Sequence, residues 1–213
     1  MKTSTVLENE TTHRILPIAS AAALAVTLAV ALARPAHADE IRVPPVPDGL
    51  GVDAGNTVFL VGHARGTQNY ICLPSGTGFK YTLFTPQATL FKRDKQIITH
   101  YFSPNPDEAG TPIRATWQAR DTSIVWAKVV DGGSSTDSRF VAKDAVAWLK
   151  LIRVGSQEGP AGGDTLTDVT FVQRLNTAGG LAPATGCASS ADVGRQAFMP
   201  YTADYFFYRK SDE

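Results

Sequence analysis

Beyond residue 56 the chain is written in short runs of alternating apolar and polar side chains, each closed by glycine, proline, asparagine or aspartate. A period of two sets one side of a strand against a core and the other toward water, so these runs predict strands. In order they are Thr57–Ala64, Gln68–Cys72 after a turn at Gly66, Phe79–Phe84, and Ala88–Phe91 beyond a break or bulge at Pro86. Ile97–Phe102 follows, and then Ile113–Trp117 and Ser123–Val130, paired as a hairpin across Ala119–Thr122. Val146–Val154 is apolar on both parities and is read as a central strand because Gly155 ends it. The strand from Thr167 puts Val169, Phe171, Gln173 and Leu175 on one face, with Thr170, Val172 and Arg174 on the other. Asn176, Gly179, Gly180 and Pro183 then break it. Tyr201–Arg209 is an aromatic final strand, while Ser103–Pro112, Asp131–Asp137 and Gly155–Gly163 have the composition of loops. About nine short strands, with no amphipathic helix over ten residues, predict an all-β fold. The expected architecture is a single-domain antiparallel β-sandwich or barrel with long loops.

The first 38 residues follow another grammar. Lys2 and Arg14 precede an apolar run from Ile15 to Ala33, and Ala36-His37-Ala38 closes it with a small-x-small site. That is the layout of a secretory signal cleaved to leave Asp39 first; the alternative is an uncleaved membrane anchor. No twin arginine precedes the run and no cysteine directly follows it, so neither a Tat signal nor a lipoprotein anchor is indicated. Residues 39–56 are rich in proline and glycine and predict an extended lead-in over the surface of the domain at 57–213.

Residues 39–213 carry 17 Lys and Arg against 18 Asp and Glu, and no run of like charge exceeds Lys92-Arg93. Nucleic acid calls for a basic patch, so that class of partner is excluded, and a membrane enters only if the leader stays attached. Export also changes the reading of Cys72 and Cys187. Two cysteines in a secreted domain favour one bridge, and with two histidines in the mature part they make a poor zinc set. No metal and no cofactor is expected. The expected location is secreted or periplasmic.

His63 and His100 are the histidines of the mature part. Either is a candidate general base or, with a carboxylate, a metal ligand, but neither has a histidine partner at i+2 or i+4. Asp121 and Ser123 resemble the polar half of a hydrolase to which His100 supplies the base. Without a G-x-S-x-G elbow, the simpler reading is a hairpin closed by side-chain hydrogen bonds. Asp164 and Asp168 are read as turn residues rather than a paired carboxylate site. The aromatics are the stronger lead, because sugars and apolar ligands stack on exposed rings. Tyr101 and Trp117, flanking the long polar loop, are the expected exposed pair, with Arg174 as a hydrogen-bonding candidate or a cap on the sheet.

Several stretches resemble the uncharacterised bacterial and fungal family catalogued as domain of unknown function 3455. They are G-T-Q-N-Y-I-C at Gly66–Cys72, F-x-P-x-A-x-L at Phe84–Leu90, one place off the family's F-x-x-P-x-A-x-L, His100-Tyr101, Trp117 with Asp121 and Ser123, and A-W-L-K-L at Ala147–Leu151. The most specific are V-T-F-V-Q-R-L-N-T-A-G-G-L-A-P-A-T-G-C, ending at Cys187, and P-Y-T-A-D-Y-F-F-Y, ending at Tyr208. The resemblance implies an exported domain and no reaction. A dehydrogenase label carried by some relatives requires a G-x-G-x-x-G turn between a strand and a helix, which G-H-A-R-G at Gly62–Gly66 does not supply. The expected role is non-catalytic binding of a small ligand, a carbohydrate or another envelope component. The alternatives are an exported hydrolase or redox enzyme using His100 with Asp121 or His63, and a structural surface protein that contacts other proteins.

Overall fold

Eight antiparallel strands, each hydrogen-bonded to the next in sequence and the last to the first, close into a barrel in the computed structural model, which describes residues 40–211. The expected leader at 1–38 lies outside the described residues. The strands are β1 Asn56–Ser75, β2 Gly78–Lys92, β3 Lys95–Pro104, β4 Ile113–Ala119, β5 Ile124–Ser135, β6 Trp148–Gln157, β7 Phe171–Gly179 and β8 Gln196–Lys210. The all-β antiparallel architecture is therefore realised as a barrel rather than a sandwich. Closure removes the terminal strands' edges, and among the described residues the long stretch Gly78–Gln87 of β2, which pairs with β1 alone, keeps one flank open.

Of the expected interruptions, the turn at Gly66 does not occur and the one at Pro86 is displaced by two residues. Gly66 makes no turn: β1 runs straight through it, paired with Ala88 of β2 and Tyr201 of β8. Its glycine is needed for close approach, because a Cβ there would lie 2.1 Å from the Gln87 carbonyl oxygen. Pro86 likewise sits within β2, and the irregularity falls just before it, where Asn69 faces Thr85 and Tyr70 faces Leu83, so that Phe84 bulges. The expected loop at Asp131–Asp137 is partly strand, since β5 bulges after Val129 and resumes pairing at Ser134. In the region expected as strand from Thr167, β7 begins only at Phe171 and passes Asn176 through a bulge with φ at 51°, a backbone that asparagine tolerates.

The core lies inside the barrel. Leu90, Ile98, Trp117, Val125, Leu151, Val172, Tyr205 and Phe207 fill it, as expected of an eight-stranded barrel whose lumen is just wide enough for side chains. Size is graded around the wall. Tyr205 and Tyr201 of β8 pair with Gly62 and Gly66 of β1, so the large rings project where the neighbouring strand has no side chain. A second cluster lies outside, where Ile41, Val43, Val46 and Leu50 cover Phe206, Tyr208, Phe171 and Leu175 together with Val141, Ala145 and Trp148. The lead-in is tied down by Gln173, whose amide donates to the Leu50 carbonyl, and by Lys150, which donates to the Gly51 carbonyl at 2.9 Å.

The Cys72–Cys187 disulfide joins β1 to the segment between β7 and β8, with Cα atoms 5.5 Å apart. Backbone bonds from Cys72 N to Arg195 O and from Gly194 N to Cys72 O flank it. Among the described residues no helix is long and apolar enough to cross a membrane.

Candidate functional site

His100 and Trp117 are direct partners across β3 and β4, so both project to the same side of the wall, and that side is the interior. Their rings stack 4.4 Å apart at 8°, with Tyr205 tilted 5.1 Å from His100 and edge-on to Trp117. Trp117 is 1% exposed. Its expected exposure beside Tyr101 is thus corrected: adjacent strand positions face opposite ways, and Tyr101, paired with Thr116, points outward. The loop between β3 and β4 does not open a groove between the two rings. It folds onto β6, where Asn105 donates to the Val154 carbonyl and Asp107 accepts from Ser156 N, and an Arg114–Glu108 ion pair at 2.7 Å holds it shut.

The Thr116 carbonyl accepts from His100 Nδ1 at 2.8 Å, which fixes the neutral tautomer with the proton on that nitrogen. Burial drives the His100 pKa down to about 3 from an ordinary 6.5; the Thr116 bond opposes the fall and the Arg174 charge adds to it. An unfolded chain takes up a proton here below pH 6.5 that the folded one refuses until about pH 3. The penalty is therefore absent above that window and complete below it, and stability decreases as pH drops through it. The slope approaches about 1.4 kcal/mol per pH unit. His100→Phe, which keeps a ring against Trp117, is expected to flatten the change in urea midpoint between pH 6.5 and 5. An unchanged slope would assign that proton to another group.

The three catalytic candidates do not meet. Asp121 closes the β4–β5 turn, accepting from Ser123 N at 3.1 Å, Ser123 Oγ at 2.7 Å, Thr165 N at 2.9 Å and Thr165 Oγ1 at 2.6 Å. Burial pushes its carboxyl up, and these four donors outweigh burial and hold it well below the carboxylate range. The hairpin reading of Asp121 and Ser123 accounts for the Ser123 bonds, while the Thr165 bonds tie the turn to the segment between β6 and β7. His63 lies on the outer face of β1, opposite in direction to His100, with Nδ1 donating to Asp204 Oδ1 at 2.6 Å; Asn176 donates to the other Asp204 oxygen at 2.8 Å. Among the described residues no group of three His, Cys, Asp or Glu is placed to hold a metal ion. Asp164 and Asp168 line a hollow of about 250 Å³ with Phe59 and Arg209, whose guanidinium lies 5.4 Å over the Phe59 ring.

Arg174 is paired with Tyr205 of β8 and Leu149 of β6, and so projects inward at the barrel end that holds Tyr70 and Tyr201. Its Nε and Nη2 donate to the Ala147 carbonyl at 3.2 and 2.9 Å. The Tyr201 and Tyr205 hydroxyls lie 3.3 Å apart, and Tyr70 donates to the Gly180 carbonyl at 2.6 Å. Burial raises the pKa of all three phenols, with Arg174 pulling the other way.

On the outer wall, sequence reasoning missed a second feature. Asn69 of β1 lies between Phe198 of β8 and Thr85 of β2, beside the Phe84 bulge. The phenylalanines are 39% (Phe84) and 55% (Phe198) exposed, while Asn69 is 3% exposed and its Oδ1 has no hydrogen-bond partner. The signal was present in A-F-M-P at Ala197–Pro200, but a strand read as starting at Tyr201 leaves Phe198 outside the sheet.

Fold and site together define a disulfide-linked, eight-stranded antiparallel barrel with a side-chain-filled lumen, a polar end around Arg174 and an aromatic outer face. The chain belongs to the family described as Protein of unknown function (DUF3455), whose profile matches residues 92–209. That span takes in His100, Trp117, Arg174, Tyr201 and Tyr205. It leaves out Gly66–Cys72 and Phe84–Leu90, two of the stretches that carry the resemblance. No curated protein and no solved structure matches the chain.

Proposed function

We propose that the protein is an exported binding module that holds a carbohydrate chain of the envelope on the outer face of β8, β1 and β2, without catalysis. One observation carries this reading: two exposed phenylalanine rings bracket a buried amide whose oxygen has no partner. Phenyl faces stack on the C–H faces of pyranose rings, and an amide oxygen accepts from a sugar hydroxyl. The disulfide and the leader-like first 38 residues support export. The filled lumen argues for a surface site, since eight strands closed around aromatic side chains leave little space for a sugar inside.

Titration of processed protein with laminarin, chitohexaose and soluble peptidoglycan fragments tests the proposal. Saturable binding of one of them is expected, weakened about threefold to tenfold by Phe84→Ala or by Phe198→Ala. No binding to any of the three, or binding unchanged in the double variant, removes the proposal. Recovery outside the cytosol of a chain that begins at Asp39 supports the export half, and retention of residues 1–38 in the cytosol overturns it.

A hydrolytic reading keeps one observation, the Asn176–Asp204–His63 chain, which orients an exposed imidazole as a base is oriented. Among the described residues no serine, threonine or cysteine hydrogen-bonds to His63. Turnover of a bound glycan that disappears in His63→Ala would favour this reading over simple binding.

A further inference from the structure

The polar end of the lumen holds an unbalanced set of hydrogen-bonding groups. Arg174 brings a permanent positive charge, and among the described residues no carboxylate forms an ion pair with it. Tyr201 and Tyr205 share one contact between two hydroxyls, so after one donates to the other a phenolic proton is left over. Gln68, 1% exposed, has its side chain packed with Tyr201 beneath Gly180, and its Nε2 has no partner. Trp117, equally buried beside Tyr205, has an unpartnered Nε1. The acceptors nearby are already engaged: the Gly180 carbonyl takes Tyr70, the Ala147 carbonyl takes Arg174, and the Thr116 carbonyl takes His100. The Tyr201 and Tyr205 hydroxyl oxygens face Gln68 and Arg174, which leaves the second phenolic proton, the remaining Arg174 N–H groups and Trp117 Nε1 without an acceptor among the described residues. His100 is neutral, so the guanidinium is the one full charge in the set.

Donors left over next to a cation are completed by a group that only accepts and carries negative charge. We propose that this end of the barrel is a binding site for a small organic carboxylate, held by the Arg174 guanidinium, with the Tyr201–Tyr205 hydroxyl pair and Gln68 Nε2 as further donors. Access is from the Arg174 side, since Arg174 is only partly buried while Gln68, Tyr201 and Tyr205 are enclosed. A forked guanidinium meets a planar carboxylate with two parallel hydrogen bonds, and the tyrosine rings offer apolar walls to the rest of a small acid. The site is separate from the outer face of Phe84 and Phe198, and the inference goes beyond the carbohydrate reading without resting on it.

Calorimetric titration of the processed, disulfide-intact protein with benzoate, acetate and inorganic phosphate tests it, alongside NMR of the Arg174 Nε–H resonance. Saturable binding of a carboxylate below about 10 mM is expected, with the Arg174 Nε–H resonance shifting along the same isotherm. Arg174→Gln should weaken binding by at least about tenfold. Tyr201→Phe, which removes a single oxygen, should weaken it severalfold, while Phe84→Ala leaves it unchanged. Three results would overturn the site: no saturation by either carboxylate, saturation that leaves the Arg174 resonance unmoved, or tighter binding of phosphate than of both acids. The resonance reports on the unaltered protein, so a variant that fails to fold does not blunt the test.

Discussion

Replacing Cys72 and Cys187 together by serine is expected to lower folding stability by about 4 kcal/mol, the largest effect of any change outside the core. The bridge spans 115 residues of sequence. On the chain-entropy account a loop of that size restricts the unfolded ensemble by about 4 to 5 kcal/mol, with native strain able to remove part of it. The folded side reinforces the estimate. Between Gly180 and Gln196 the chain has one short helical turn, Ser190–Asp192. Apart from the disulfide, this segment is held to the barrel by the two Cys72 backbone bonds and by Tyr81, which donates to the Gly186 carbonyl at 3.1 Å. Urea unfolding followed by tryptophan fluorescence, with and without reductant, measures the effect. Thiol titration of unfolded, unreduced protein should find no reactive sulfhydryl. A midpoint indifferent to reductant, or two titratable thiols, would mean that the barrel closes without its link.

Trp117→Ala is expected to cost about 3 to 5 kcal/mol, the range for deleting a large aromatic from a packed interior. The side chain is enclosed by His100 on one face and meets Tyr205 and the perpendicular Phe207 ring. In a domain of this length such a loss lowers the melting temperature by roughly 10 °C or more. Trp117→Phe keeps part of the stack and should cost much less. The pair of variants also separates packing from recognition. A Trp117 that served as a stacking platform for ligand would give a normal melting curve and lost binding when replaced by alanine.

Strand existence was legible along most of the chain because alternation is a local property, and the expected runs all fall on the eight observed strands, with two pairs of runs merged into β1 and β2. The differences cluster at single residues that look like punctuation in the sequence. Gly66 has the look of a turn, yet it answers a crowding constraint from Gln87, a residue 21 positions away whose approach only the closed barrel creates. Pro86 was legible as a site of irregularity, and the bulge stands two residues before it at Phe84. The candidate site was less legible, for a geometric reason. Trp117 and Tyr101 flank the same loop, but their facing depends on register across β3 and β4, which pairs Trp117 with His100 and sends Tyr101 outward. Arg174 was singled out from its place opposite Gln173 on one strand. Its tyrosine neighbours come from β1 and β8, and only closure of β8 onto β1 brings them together.

That closure also governs the order in which the polypeptide can mature. Asn56 pairs with Lys210, and Ser211 N reaches the Gly55 carbonyl at 3.1 Å, so the seam is sewn by the first and last segments of the domain. During synthesis β1 is available early, and one flank of its twenty residues has no mate until the fifteen-residue β8 emerges. Contacts of such sequence separation are slow to form. The nascent barrel therefore passes through an open sheet with two adhesive margins, and concealing them falls to whatever escorts the chain until the seam is joined.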